Sequence, residues 1–120
     1  VGERKKVILL VTGGRTYANR ELLFTTLDAI HAETPVTLLL NGGADGADAH
    51  ARDWASSRRV CFRIFHAHWT LFGSAAGPIR NSEMIAECPD LVVAFPGGRG
   101  TADCVRKARA KGIEVREVSE

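Results

Sequence analysis

The sequence predicts a doubly wound α/β domain, Rossmann-like, on a five-stranded parallel sheet, and three observations carry that prediction. Three short, nearly continuous apolar runs rich in branched side chains, Val7 to Val11, Val36 to Leu40 and Leu91 to Phe95, read as strands buried on both faces. Each run is followed at once by Thr12, Asn41 or Pro96 and then by a glycine pair. Segments of helical period lie between the runs, and strict alternation of strand and helix with right-handed crossovers builds a parallel sheet covered on both sides.

The first strand follows a charged start, Glu3, Arg4, Lys5 and Lys6. The first helix carries the stripe Leu23, Leu27 and Ile30, with Asn19 suited to its N-cap and Pro35 ending the turn after it. Ala47, Ala51, Trp54 and Ala55 mark the second helix. Cys61 to His66 and Ile113 to Val118 are weaker strands, interrupted by Arg63, Glu114 and Arg116, and such charges suit the margins of a sheet. The third helix is expected from near Pro78, which has no amide hydrogen to leave unpaired in a first turn, to about Cys88. Thr101 is expected to cap the last helix and Gly112 to close it. With the three apolar strands inside, the order is 3-2-1-4-5, and the switch point between strands 1 and 4 is where such sheets bind ligands, outside the strands' carboxyl ends.

With 45% hydrophobic and 25% charged residues, the 120-residue chain is expected to form one domain over 1–120; neither a second core nor disorder fits. A net charge of +2 is too small to argue for a nucleic-acid or anionic-membrane partner. No stretch approaches the roughly 18 apolar residues that span a bilayer, so a soluble, cytoplasmic protein is expected. Cys61, Cys88 and Cys104 form no C-x-x-C pair; they read as small buried hydrophobes in a reducing compartment.

The chemistry is expected at the glycine loops: Gly13, Gly14 and Arg15; Gly42, Gly43, Asp45 and Gly46; and Pro96, Gly97, Gly98, Arg99, Gly100 and Thr101. A loop running into a helix start directs free amides and the positive end of the helix dipole at an anion, and a phosphate is the natural tenant. None of the loops has the phosphate-loop pattern of nucleoside-triphosphate hydrolases, and the first lacks G-x-G-x-x-G, which argues against ordinary dinucleotide binding. Arg15, Arg80 and Arg99 are the cations placed to reach this rim, Arg80 from the first turn of the third helix. Asp103, in the first turn of the last helix, favours the helix dipole whatever its role, or orients a sugar hydroxyl, acts as a base, or stabilises a cationic ribose. Asp45 and Asp48 raise magnesium weakly; capping of the second helix accounts for them more simply, and no cofactor is expected. His66 and His68, beside Trp69 and Phe72, lack further metal ligands and read as an aromatic lining or surface histidines.

At Gly42 to Asp48, at Gly77-Pro-Ile-Arg-Asn81 with Met84, and at Pro96 to Asp103, the chain resembles the SLOG superfamily of Rossmann-like nucleotide-ligand proteins, most of all its YspA/YpsA-related branch. The resemblance spans Val7 to Val118. Lonely Guy phosphoribohydrolases are more distant relatives; laid on this chain, their catalytic-type arginine falls on Arg80, their phosphate loop on Gly97, Gly98, Gly100 and Thr101, and their acidic end on Asp103. Asn81 stands where those enzymes have lysine, and Cys104 where they have glutamate, so the resemblance implies binding of a nucleotide-like ligand more firmly than hydrolysis. It also implies pairing of two copies through helices flanking the sheet. The Met84, Ile85 and Cys88 side of the third helix offers an apolar surface for that, burial within one subunit being the other reading.

Three functions follow as expectations. The first is binding of a nucleotide or nucleoside monophosphate derivative, with Arg80 and Asp103 supporting cleavage of the N-glycosidic bond if the protein is an enzyme. The second is a non-catalytic nucleotide sensor or a carrier of a molybdopterin-type cofactor. The third, single-stranded DNA binding as in the related DNA-processing protein A group, is disfavoured. Arg106, Lys107, Arg109 and Lys111 read as a solvated helix face, and aromatics that could stack bases are few.

Overall fold

The alternation of apolar runs and amphipathic segments resolves into β1 (Val7–Thr12), α1 (Arg20–Glu33), β2 (Val36–Asn41), α2 (Ala47–Ser57), β3 (Cys61–Ile64), α3 (Trp69–Phe72), a 3-10 turn (Gly73–Ala75), α4 (Ala76–Ala86), β4 (Leu91–Ala94), α5 (Arg99–Ala110) and β5 (Glu114–Glu117). The structure, a computed structural model, describes residues 6–120. Glu3, Arg4 and Lys5 of the charged start lie outside the described residues.

The strands form one parallel sheet in the order β3-β2-β1-β4-β5. Leu9 pairs with Leu39 and Leu91, and Leu10 with Leu40 and Val92, so successive residues of the central strands point to opposite faces. One face packs Leu9, Val11, Leu39, Val93 and Phe95 against Leu23 and Leu27 of α1 and Trp54 of α2. The other packs Leu10, Leu40 and Val92 against Met84 and Ile85 of α4 and Cys104 and Ala108 of α5. With apolar contact on both faces, the continuous runs are accounted for. Both margins carry the charged strands, as expected.

Asn19 caps α1, its side-chain oxygen accepting from the Leu22 amide at 3.1 Å, and Gly112, with φ of +74°, follows the end of α5. Elsewhere the helix starts differ from expectation. The 3-10 turn feeds directly into α4, which begins at Ala76 and holds Pro78 as its third residue, where an amide hydrogen is still not needed. Arg80 therefore sits in the second turn. Likewise α5 begins at Arg99 with Gly98, not Thr101, at the cap: the Ala102 amide donates to Gly98 O, so backbone alone opens the helix. Asp103 moves to the second turn with it. The short α3 had no periodic signature, being only four residues long.

Two of the three cysteines depart from expectation as well. Cys104 is buried, but Cys61 lies on the edge strand and Cys88 just past α4, and both are exposed. Met84 and Ile85 are enclosed between α4 and the sheet, so burial within one subunit accounts for them and they offer no surface to a second copy.

Candidate functional site

A cleft of about 560 Å³ opens at the carboxyl ends of β1 and β4, where the strand order reverses. Its wall is made by Thr12, Gly13, Gly14 and Arg15 after β1, by Gly42, Ala44 and Asp48 around the β2–α2 turn, by Trp69, Ser74, Gly77, Pro78, Arg80, Asn81 and Met84, and by Gly98, Arg99, Gly100, Thr101 and Asp103.

Arg80 is held by its neighbours. Its Nη1 donates to Gly42 O at 2.8 Å and its Nε to Asn81 Oδ1 at 3.0 Å. Asn81 is buried and its Nδ2 donates to Gly100 O and to Asp103 Oδ2, each at 3.1 Å. Asn81 thus joins Arg80 to Asp103, accepting from one and donating to the other. A lysine has no acceptor atom and could not make both bonds.

Asp103, with its side chain 17% exposed, is also paired with Arg106 at 2.5 Å and with Lys107 at 3.0 Å. Burial pushes its pKa up, but the hydrogen bonds from Lys107 and Asn81 and the charges of Lys107 and Arg106 outweigh that, so its carboxyl is held below the ordinary value. Lys107 in turn donates to Pro78 O at 2.7 Å, fastening α5 to the start of α4.

Asp48 behaves oppositely. Burial drives its pKa up, only partly offset by the amides of Ala44 and Gly42 and by Arg80 and Arg52. Its Oδ2 accepts from Gly42 N at 3.0 Å and Ala44 N at 3.3 Å. It therefore closes the loop before α2 rather than capping that helix, whose cap residue, Gly46, has no side chain to offer. Burial also pushes the thiol of Cys104, in the core outside the cleft wall, up to about 11, which makes it an unreactive core atom rather than a nucleophile.

Arg15 and Arg99 are exposed at the cleft and have no ion-pair partner among the described residues; the Arg15 guanidinium carbon lies 5.6 Å from the centroid of the Trp69 ring. The first-turn amides of α5, at Arg99, Gly100 and Thr101, have no acceptor within the helix and face the same end of it. An added Cβ at Gly98 or Gly100 would meet nothing within 4 Å.

Of the residues expected to carry the site, Gly13, Gly14, Arg15, Gly42, Arg80, Asn81, Gly98, Arg99, Gly100, Thr101 and Asp103 line this one cleft. Four do not. Gly43 turns away toward Ile64 and His66, and Asp45 is exposed outside the wall. Pro96 and Gly97 are exposed beside it, against the turn after β1: Pro96 O accepts from Gly14 N at 2.9 Å, and a Cβ at Gly97 would come within 2.7 Å of that same nitrogen. His66 and His68 are exposed and outside the wall, as is Phe72, whereas Trp69 forms part of it. Among the described residues, no three His, Cys, Asp or Glu side chains gather around a point where a metal could sit. Sequence reasoning missed Lys107 as the partner of Asp103, although the i, i+4 spacing of opposite charges on a helix was the available signal. It also missed Ser74, which the unexpected 3-10 turn brings to the rim.

A parallel doubly wound sheet, with a polar cleft at its switch point and a glycine-opened helix pointing into it, defines a Rossmann-like domain. Within that class, residues 7–72 match the sequence profile of the YspA, cpYpsA-related SLOG family, YAcAr, and the chain belongs to that family. It is 36% identical over 115 residues to the Gene 61 protein of Mycobacterium phage D29, covering 89% of this chain and 92% of the relative. Among solved structures it is similar to phosphoribosylglycinamide formyltransferase (purN) of Coxiella burnetii, determined in complex with CHES, with a TM-score of 0.46 and 15% identity. That likeness covers 81% of this chain and 43% of the other. No helix among the described residues is long and apolar enough to cross a membrane.

Proposed function

We propose that the domain binds a nucleoside 5′-monophosphate or a close derivative, with the phosphate on the first turn of α5. The supporting observation is the pair Arg15 and Arg99, without ion-pair partners among the described residues, at the mouth of a cleft that also holds a helix N-terminus. Two planar guanidinium groups and free amides suit a phosphate, and the open space beside Gly98 and Gly100 leaves room for its oxygens. The cleft volume falls in the ordinary range for small ligands, roughly 300–1,000 Å³. Magnesium has no part in this reading, because the Oδ2 of Asp48 is taken by two amides.

Turnover is the second reading, favoured by the ionised Asp103 in the same wall and its link through Asn81 to Arg80. A carboxylate there would stabilise positive charge on ribose as the bond to the base breaks, and water would complete hydrolysis to free base and ribose 5-phosphate. Binding without turnover comes first because both carboxylate oxygens of Asp103 already accept bonds from Asn81, Arg106 and Lys107.

The test incubates the protein with the common nucleoside 5′-monophosphates and follows retained nucleotide and released base by mass spectrometry. Retained nucleotide without free base is the expected result. Free base that vanishes in Asp103→Asn and Arg80→Ala would make the protein a phosphoribohydrolase. Neither retention nor release would end the nucleotide reading.

A further inference from the structure

The chain has two tryptophans in contrasting environments. Trp54 is wholly buried, its indole N–H donating to Asp28 Oδ1 at 2.8 Å and its ring met edge-on by His31. Trp69 is 49% exposed and lies in the wall of the cleft, on the single-turn helix α3. Leu71 and Phe72 of the same helix are exposed too, but they lie outside the wall, so what sets Trp69 apart is that its half-exposed ring faces the cleft.

Two contacts hold it there. The Cη2 end of the ring rests over Gly77 in α4, where even a methyl group would come within 3.3 Å. Over the ring sits the guanidinium of Arg15, 5.6 Å from its centroid, with no carboxylate to pair with among the described residues. A guanidinium is flat and electron-poor, and it occupies the place over an indole that another flat group would take by stacking. Arg15 also lines the cleft that receives the start of α5. It thus stands between an aromatic surface and an anion site, and one side chain can serve only one of them at a time.

We propose that Trp69 is the platform on which the base of the bound nucleotide stacks, and that Arg15 covers the platform only until ligand arrives. On binding, the base takes the face of the ring that Arg15 occupied, and the guanidinium turns to the phosphate on α5. Base and phosphate recognition are thereby coupled through one arginine, and a sugar phosphate without a base gains less. The proposal rests on the reading of the cleft as a nucleoside monophosphate site. It adds that the ligand must carry a planar aromatic group.

Calorimetric titration with AMP, GMP, CMP and UMP, and with ribose 5-phosphate, separates the two. At least one nucleotide is expected to bind about tenfold or more tightly than ribose 5-phosphate. Trp69→Ala should abolish that margin and Trp69→Phe should keep most of it; both should bind ribose 5-phosphate at least as tightly as the parent, Trp69→Ala because Arg15 is then free for the phosphate, which also shows that they are folded. In the parent, the nucleotide should quench tryptophan emission, and in Trp69→Phe, where only buried Trp54 remains, it should not. If ribose 5-phosphate binds as tightly as every nucleotide, or the margin survives in Trp69→Ala, the platform is wrong while the phosphate site stands. If no phosphate compound binds, both readings fail together.

Discussion

Two glycine turns flank β1 and open onto the same cleft, yet they differ in what their polar groups do. In the β2–α2 turn nearly every group is engaged internally: Asp48 accepts two amides, Asn41 accepts the Gly43 amide, Arg52 donates to Asn41 and to Ala44 O, and Arg80 donates to Gly42 O. In the β4–α5 turn the first amides of the helix have no internal acceptor, Arg99 has no ion-pair partner among the described residues, and Gly98 and Gly100 border open space. One turn is built to hold itself, the other to hold something else. The glycine pairs alone do not distinguish them. What does is the buried Asp48, together with Arg52, a few residues into the following helix.

The largest expected effect strikes the self-satisfied turn. Gly46 has φ of +68°, and an added Cβ would fall on Gly14 O and within 2.6 Å of the Arg15 carbonyl carbon, so backbone must move. Gly46→Ala is expected to cost about 3 kcal/mol of stability or more, read from urea unfolding. A variant as stable as its parent would show that this turn is not the packed one.

Asp48→Ala comes next, at about 2–3 kcal/mol, because it leaves the Gly42 and Ala44 amides without their acceptor. Asp48→Asn should recover part of this, since its amide oxygen can still accept. The same unfolding measurement checks both.

In the open turn the prediction is reversed. Arg99→Ala should lower affinity for a bound nucleoside monophosphate by about 1.5–2 kcal/mol while leaving unfolding stability within about 0.5 kcal/mol. Gly98→Ala should likewise leave stability nearly unchanged and weaken binding, because its methyl group enters empty space rather than packed chain. A loss of stability in either variant would erase the contrast.

The smallest effect is one of pH. Asp103 has a folded pKa below the ordinary aspartate value of 3.8, so its contribution is present above that value and fades as pH falls through the folded pKa. For Asp48 the folded pKa is raised, so its ionisation weakens the fold, and stability is gained as pH falls from the folded pKa toward 3.8. Asp103→Asn should therefore flatten the acid side of the stability profile below 3.8, and Asp48→Asn should remove a gain just above it. Thermal unfolding between about pH 3 and pH 6 would reveal whether the two variants differ in sign.

Much of this architecture is legible in the chain because burial leaves a local record. A strand covered on both faces must be apolar at every position, so β1, β2 and β4 announce themselves, and the charges of β3 and β5 send them to the margins. The helix starts were less legible. A proline tolerated anywhere in a first turn marks the boundary of α4 only to within a few residues, and a threonine near a glycine looks like a cap whether or not its hydroxyl is used. The cleft was legible as a set of loops but not as a set of roles: Asp48 and Asp103 are both acids near glycines, and only their neighbours separate them.

By itself the sequence determined the fold class, the strand order and the rim on which the glycine loops gather, because hydrophobic periodicity is written residue by residue along the chain. Only the tertiary structure decided that Asn81 bridges Arg80 and Asp103, that Lys107 neutralises Asp103, that Pro96 O holds the Gly14 amide, and that Trp69 faces into the cleft. Those outcomes depend on contacts between segments distant in the chain. A hydrogen bond or a desolvated charge is set by which groups arrive together in space, and no local pattern records that meeting.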